Sequence, residues 1–135
     1  MKDEPNVLSQ IPGGRALVDW FGGVPTFHDG EVLSVHLERD QPSKLVVYGF
    51  RMNSETDAQG FYVVDRKVTA TFVIDGIDSL ELKGFSIQNV LNRLSIHARS
   101  GGTGYEIELE DTYGIGGRIG CEAVSVSYSA IADAS

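Results

Sequence analysis

Glycine clusters divide this chain into short segments that alternate between apolar and polar residues. The sequence contains 16 glycines in 135 residues, about 12%, whereas glycine makes up about 7% of an average protein. Glycine reaches positive φ angles without a steric penalty, so clusters of it between apolar runs indicate turns. Many turns between segments rich in β-branched residues are typical of antiparallel β structure. The chain is therefore predicted to be mainly β, or α+β at most.

The spacing of apolar residues predicts the elements. Residues 31–39 alternate between apolar and polar side chains, which predicts a half-buried strand. Leu17, Trp20 and Phe21 share one helical face, which predicts a short helix over residues 15–21. In total we predict about seven strands in a single antiparallel sheet system, folded as a sandwich or a partly open barrel, with this one short N-terminal helix.

A long apolar stretch in the middle of the chain is predicted to form two strands. Residues 61–74 alternate as one long strand, bent near residues 65–67 by a bulge. Asp75 and Gly76 then form a pair that is common in hairpin turns. Residues 79–85 are predicted to return as the next strand.

A second hairpin is predicted from residues 94–99 and 105–111, joined by a four-residue glycine-rich loop. Both strands have one apolar face, and a shift of one residue would turn charged side chains toward the core. The predicted register places Arg99 opposite Glu106, His97 opposite Glu108 and Ser95 opposite Glu110.

The length of the chain fits one domain. We predict a flexible N-terminal arm over residues 1–14, a single β-rich domain over residues 15–129 and a flexible tail over residues 130–135. The sequence contains no apolar run long enough for a signal peptide or a membrane span, and Cys121 is the only cysteine. These features predict a cytoplasmic protein.

The balance of charges restricts the partners that the chain can have. It carries 19 acidic and 11 basic side chains, which gives a formal net charge of -8. Nucleic acids and anionic membranes both attract basic surfaces, so we predict that the protein binds neither. A basic protein partner is compatible with this charge.

His28 and Asp29 are the adjacent pair that could begin a metal or hydrolytic site. Such a site needs further ligands, and the other two histidines, His36 and His97, lie on strand-like segments. Asp29 also precedes Gly30, a combination that suits a turn. We therefore interpret His28 and Asp29 as structural residues.

Two other candidates for chemistry have simpler interpretations. Cys121 lies in a predicted strand with no neighbouring base, so it is expected to be buried and unreactive. The glycine-rich stretch from Tyr113 to Gly120 is followed by a strand, whereas a phosphate-binding loop requires a helix there. We therefore predict no catalytic, cofactor-binding or metal-binding residue and no cofactor.

Four acidic residues form a distinctive local pattern. Glu106, Glu108 and Glu110 alternate along one strand face and Asp111 follows them; we call these four residues the acidic stripe. Such a stripe is commonly a solvated face, but it can also be a docking surface for a basic protein. Because like charges on one face repel, neutralising side chains are expected, and Ser95, His97 and Arg99 are the predicted contributors across the hairpin.

Residues 20–32, WFGGVPTFHDGEV, resemble the W/F-G-x-x-P-x-F-H-D-x-E-V/I opening of the immunity protein 50 family of bacterial polymorphic-toxin systems. Residues 88–90 and Leu94 fit the middle of that family, and residues 105–110, 113–114 and 121–128 resemble its ending. The matching signature residues are Trp20, Phe21, Gly22, Pro25, Phe27, His28, Asp29 and Glu31.

The resemblance implies a small cytoplasmic β-rich protein that binds and neutralises a cognate toxin without catalysis. The family has no established catalytic residues, so its opening motif is treated as a structural signature. We expect Trp20 to pack on Phe27 and the Asp29 side chain to hold the turn by binding backbone donors.

Two other functions remain open from the sequence. One is a small hydrolase or metal-dependent enzyme that uses His28 and Asp29. The other is a structural module that self-associates through an exposed strand edge, which leaves homo-oligomerisation open. A basic toxin domain is nevertheless the partner that the charge, the acidic stripe and the family resemblance together favour.

Overall fold

The computed structural model describes residues 6–131 of the chain. Within that range the elements are a 3-10 turn (Leu8–Gln10), α1 (Gly14–Phe21), β1 (Glu31–His36), β2 (Ser43–Thr56), β3 (Tyr62–Lys83), β4 (Val90–Ala98), β5 (Tyr105–Tyr113) and β6 (Gly116–Ala130). The strands form a closed antiparallel barrel in the order β1-β2-β3-β6-β5-β4. The predicted class, mainly β with a single antiparallel sheet and a short N-terminal helix, is confirmed.

Alternate residues of the strands point into the barrel and form its core. Burying one large apolar side chain stabilises the fold by about 1.5–3 kcal/mol, so a period of two along each strand determines which face turns inward. The buried residues of the strands include Val32, Leu45, Val47, Val68, Ala70, Phe72, Ile74, Leu94, Ile96, Ile107, Leu109, Ile119, Val124 and Val126.

The segment before α1 contributes to the same core. Val7, Leu8 and Ile11 are buried, and the Val7 N–H donates a 2.7 Å hydrogen bond to the Ile96 carbonyl oxygen of β4. Part of the predicted N-terminal arm is thus packed on the barrel. Residues 1–5 and 132–135 lie outside the described residues, and the domain boundaries stay a prediction.

β3 is a single strand of 22 residues, so the predicted hairpin turn at Asp75-Gly76 is wrong. Gly76 has a φ of +65°, yet the pairing with β6 stays in register from Asp75 to Ile77. The register shifts by one residue between Ile77 and Ser79, which places a β-bulge there. Because β6 runs alongside β3 on both sides of the bulge, continuing the strand keeps ladder hydrogen bonds that a turn would lose. The described residues therefore contain six strands instead of the predicted seven.

β4 and β5 form the second predicted hairpin, but the predicted register is wrong by two residues. The loop spans residues 99–104, and the Arg99 N–H closes it with a 3.0 Å hydrogen bond to the Gly104 carbonyl oxygen. A shift of two residues keeps every side chain on its predicted face. The observed pairs are His97 with Glu106, Ser95 with Glu108 and Arg93 with Glu110.

α1 packs against β6 and begins one residue before the predicted start. Leu17 and Phe21 are buried, and the Trp20 ring lies 5.3 Å from the Tyr128 ring of β6, measured between centroids. The helix ends at Gly22, which has a φ of +89° and therefore suits glycine. Within residues 6–131, neither helical segment has the length and apolar character needed to cross a bilayer.

Candidate functional site

The stretch after α1 closes the barrel between β1 and β4. The ladder between these two strands contains only the pair Glu31–Val90. Residues 26–32, which we call the closing segment, extend the connection with backbone hydrogen bonds. These bonds run from Leu94 N to Thr26 O (2.8 Å), from Asp29 N to Leu91 O (2.9 Å), from Leu91 N to Gly30 O (2.8 Å) and from Val32 N to Asn89 O (2.9 Å).

Phe27 anchors the closing segment in the core. Its side chain is 2% exposed and meets the Phe72 ring edge to face at a centroid distance of 6.1 Å. The ring needs Gly49 beneath it, since a Cβ at that position would lie 2.6 Å from a ring carbon. Trp20 was expected to pack on Phe27, but it packs on Tyr128 and has the Arg66 guanidinium 5.6 Å from its ring centroid.

His28 is fixed by its backbone partner and remains open to solvent. Its Nδ1 lies 3.0 Å from the Asn92 carbonyl oxygen, so Nδ1 carries the proton and donates it. Its Nε2 is 3.6 Å from Asp29 Oδ2, and both side chains are about half exposed or more. Among the described residues, no group of three or more His, Cys, Asp and Glu side chains is placed to hold a metal ion.

Asp29 shapes the turn through its backbone. Its φ is +63°, a left-handed conformation that asparagine and aspartate tolerate better than most residues. In the described part of the chain its carboxylate makes no hydrogen bond to the turn, contrary to expectation, and contacts only His28. The turn is therefore held by two backbone hydrogen bonds, from Gly30 N to Phe27 O and from Asp29 N to Leu91 O, each 2.9 Å long.

Asn92 connects the closing segment to the acidic stripe. Its carbonyl oxygen accepts the hydrogen bond from His28, and its side-chain Nδ2 donates to Glu110 Oε1 at 3.2 Å. Glu110 Oε2 also accepts from Arg93 Nε at 2.9 Å and from Arg93 Nη2 at 2.7 Å. These hydrogen bonds, those from Arg93 above all, hold the pKa of Glu110 below its ordinary value.

The other two glutamates of the acidic stripe are held more loosely. The three glutamate side chains are between 35% and 42% exposed on the outer face of β5. Glu108 Oε1 lies 4.0 Å from His97 Nε2, and Glu106 Oε1 lies 3.8 Å from Arg118 Nη1. Both distances are at the limit of an ion pair, so Glu106 and Glu108 keep more capacity for an outside partner than Glu110 does.

The side chains that neutralise the stripe differ partly from the predicted ones. Of the three predicted residues, only His97 faces a glutamate of the stripe, Glu108. Ser95 forms a hydrogen bond with His97, and Arg99 pairs with Asp78 Oδ1 at 2.7 Å. Arg93 and Arg118 provide the remaining cations. Asp111, the fourth member of the stripe, is exposed beside the irregular pairing at the start of β4.

An open groove of about 740 Å³ lies over the stripe and reaches the closing segment. On its floor Ser95 Oγ lies 2.9 Å from His97 Nε2. Glu108 approaches the same ring nitrogen, His97 Nε2. In a hydrolytic triad the serine and the carboxylate instead contact different ring nitrogens of the histidine. The lining residues are Asn6, Val24, Thr26, Arg93, Ser95, His97, Ala98, Arg99, Ser100, Glu106 and Glu108.

Comparison with known families identifies the relatives of this chain. The sequence model of immunity protein 50 matches residues 13–131, nearly the whole chain. The chain belongs to the immunity protein 50 family. No curated protein and no solved structure matches it at a significant level.

In this member of the immunity protein 50 family, most signature residues surround the closure of the barrel. Pro25 and Phe27 are buried, His28 and Asp29 are exposed in the turn, and Glu31 begins β1. The first three signature residues lie at the end of α1. There Arg51 Nη1 donates to the Phe21 carbonyl oxygen at 3.2 Å while binding Asp65. The structural interpretation of the signature stays a prediction, and these contacts support it.

A second groove, of about 410 Å³, opens at one end of the barrel of this immunity protein 50 family member. We call it the mouth groove. It forms where β3 continues beyond Ile74, the residue that pairs with the first residue of β2, Ser43. Its lining is largely apolar: Val35, Leu37, Leu82, Lys83, Gly84, Phe85 and Ile115.

Cys121 is a core residue, as predicted from its strand context. Its side chain is fully buried, and this burial raises the pKa of the thiol to about 11. A thiol with so high a pKa provides almost no thiolate at neutral pH.

Sequence reasoning missed several residues that shape these surfaces. Arg93 alternates with Ser95 and His97 and so lies on the same face of β4. The correct register would have placed it opposite Glu110. Arg118 lies on β6, and only the barrel order brings it beside Glu106. Phe85 lines the mouth groove from a loop, where no periodic signal exists.

Proposed function

We propose that this protein is a non-catalytic immunity protein that binds and neutralises a cognate toxin domain in the bacterial cytoplasm. The family match over residues 13–131 carries the proposal, because the family name implies a toxin as the partner. The basic character of the toxin and the docking role of the acidic stripe belong to the same proposal.

The charge of the chain supports a basic toxin. A net charge of -8 attracts a cationic domain and accelerates its association, an effect that salt weakens because screening acts over about 8 Å at physiological ionic strength. The acidic stripe concentrates part of this charge on one strand. Within the acidic stripe, Glu106 and Glu108 are the better contacts for the toxin, because the ion-pair partners of these two residues in the chain lie 3.8 Å and 4.0 Å away.

A binding role without catalysis is supported by the geometry of the two candidate clusters. His28 and Asp29 share one contact on an exposed turn whose backbone closes the barrel. Ser95 and Glu108 meet at the same nitrogen of His97 and do not form a relay.

The first experiment tests the immunity function itself. The toxin domain whose gene neighbours this one is expressed in bacteria with and without the protein. Survival only in the presence of the protein, together with recovery of a stable complex of the two purified proteins, is the expected result. Cells that die equally in both cases would refute the immunity function.

The second experiment tests the acidic stripe. Glu106→Lys combined with Glu108→Lys should slow association with that toxin domain about tenfold or more at low salt, with a smaller effect at high salt. The matched control is Asp19→Lys combined with Asp40→Lys, which changes the net charge equally at exposed positions elsewhere. Equal slowing by both pairs would show that net charge, and not the stripe, guides association.

A further inference from the structure

β1 is paired along one side and only partly paired along the other. Toward β2 it pairs from Glu31 to His36. Toward β4 its connections end at Val32, whose N–H donates to Asn89 O. Among the described residues, no backbone hydrogen bond joins residues 33–37 to residues 84–89. Residues 33–37, which we call the β1 edge, therefore lack a neighbouring strand on that side.

The loop that could have covered the β1 edge is held elsewhere. Asn89 is buried, and its Oδ1 accepts hydrogen bonds from Ser86 N at 2.9 Å and from Ile115 N at 3.1 Å. Its Nδ2 donates to the Ser86 carbonyl oxygen at 2.9 Å. These bonds direct the loop toward the start of β6 and leave the mouth groove between the loop and β1.

Exposed apolar side chains lie on the β1 edge and on the loop between β3 and β4. Leu37 and Phe85 line the mouth groove and are 49% and 57% exposed, Leu33 is half exposed, and Ile87 is fully exposed. Val35 also lines the groove, so alternate residues of the β1 edge contribute to it. Exposed apolar side chains concentrated on an unpaired strand edge and in the groove beside it often mark an interaction site.

We propose that an extended segment of the toxin adds to the β1 edge as a further strand and places alternate apolar side chains in the mouth groove. Backbone hydrogen bonds to the unpaired edge and apolar contacts in a neighbouring groove are the two components of strand addition. This inference rests on the proposed function, because it takes the toxin as the occupant. The inference assigns tight binding to the mouth of the barrel, whereas the acidic stripe guides the approach of the toxin through its charge.

The charge of the chain favours a toxin segment over a second copy of the same protein. Two copies would each carry a net charge of -8 and repel, whereas a basic toxin is attracted.

The test compares exposed side chains at the mouth with matched ones far from it. Leu33→Lys combined with Leu37→Lys, and separately Phe85→Ala, should raise the Kd for the neighbouring gene's toxin domain about tenfold or more, mostly through faster dissociation. Met52→Lys and Phe61→Ala alter similarly exposed residues of the β2–β3 hairpin and should leave the Kd within about twofold. Hydrogen exchange of the wild-type complex should show new amide protection in residues 33–37.

The outcomes separate this inference from the proposed function. If the wild-type protein binds and protects while the mouth variants bind equally well and residues 33–37 gain no protection, the inference is wrong and the immunity function stands. If the wild-type protein neither binds nor protects, both are wrong. If sedimentation shows a wild-type dimer that Leu33→Lys with Leu37→Lys dissociates without changing toxin binding, the edge serves a second copy and the inference is overturned.

Discussion

The closing segment and the β1 edge follow one another along the same side of the barrel, yet only the first is covered. Residues 26–32 are joined by three backbone hydrogen bonds to β4 and by a fourth to Asn89, the residue just before it. Residues 33–37 have no such bond to the loop beside them within the described chain. The first region makes the barrel continuous, and the second leaves a polar edge next to apolar side chains.

The two regions differ in what they require of the sequence. The closing segment needs unusual residues, because Phe27 and Asp29 both have positive φ angles and Gly30 has no room for a Cβ beside the Tyr48 carbonyl oxygen. The β1 edge needs only ordinary alternation. We therefore propose that the recognisable motif marks a structural closure, whereas the proposed toxin-binding region has no motif.

The largest effect is expected from removing the anchor of the closing segment. Phe27→Ala deletes a buried ring and should lower the free energy of unfolding by about 3–5 kcal/mol, measured by denaturant titration. Phe61→Ala is the matched control, since that ring is 69% exposed, and it should change stability by less than about 0.5 kcal/mol. Similar losses in both variants would show that the ring of Phe27 does not anchor the closure.

The next effect tests what keeps the mouth open. Asn89→Leu removes three hydrogen bonds and leaves the buried Ile115 N–H without its acceptor, so we expect a loss of about 2–3 kcal/mol. Hydrogen exchange should accelerate in residues 84–89. Asn92→Leu, at an exposed position, should cost about 0.5 kcal/mol or less. An Asn89→Leu protein with unchanged exchange in this loop would contradict the role of Asn89.

The fold class could be predicted because burial alternates with a period of two, and the sequence shows that period directly. The strand count could not, because Asp75-Gly76 is a common hairpin-turn pair, and only the pairing with β6 on both sides of it shows that the strand continues through these residues. The hairpin register was wrong by two residues for a related reason. Any even shift satisfies the same pattern of inward and outward faces.

The candidate site was predicted less completely than the fold. The acidic stripe lies on one strand, so its alternation was visible. Its cations come from neighbouring strands, and the position of Arg118 depends on β6 pairing with β5. The mouth groove arises from strands of unequal length and from one buried asparagine, neither of which a local pattern reveals.

A smaller effect distinguishes backbone from side-chain roles in the closing segment. Asp29 has a φ of +63°, and a β-branched residue there carries the left-handed penalty in full. Asp29→Val should cost about 1–2 kcal/mol in the free energy of unfolding, whereas Asp29→Gly should leave it within about 0.5 kcal/mol. A larger loss for glycine than for valine would instead give the carboxylate the main role.

The smallest effect concerns the link between the closing segment and the acidic stripe, and it depends on pH. Hydrogen bonds from Arg93 and Asn92 lower the pKa of Glu110 below its ordinary value of 4.5. A carboxyl group whose pKa is lower in the folded state stabilises the protein fully above the unfolded pKa and loses that contribution as the pH falls through the folded pKa.

Wild-type protein should therefore exceed Glu110→Gln in stability by less than about 1 kcal/mol at neutral pH, because the carboxylate is partly exposed. This difference should vanish as the pH falls below 4.5 toward the lower folded pKa. Denaturant titrations between pH 7 and pH 3 measure it. In an Arg93→Met background the main cause of the shift is absent, so adding Glu110→Gln should produce a smaller and flatter difference. A difference of undiminished size in that background would show that Arg93 does not stabilise the charged form of Glu110.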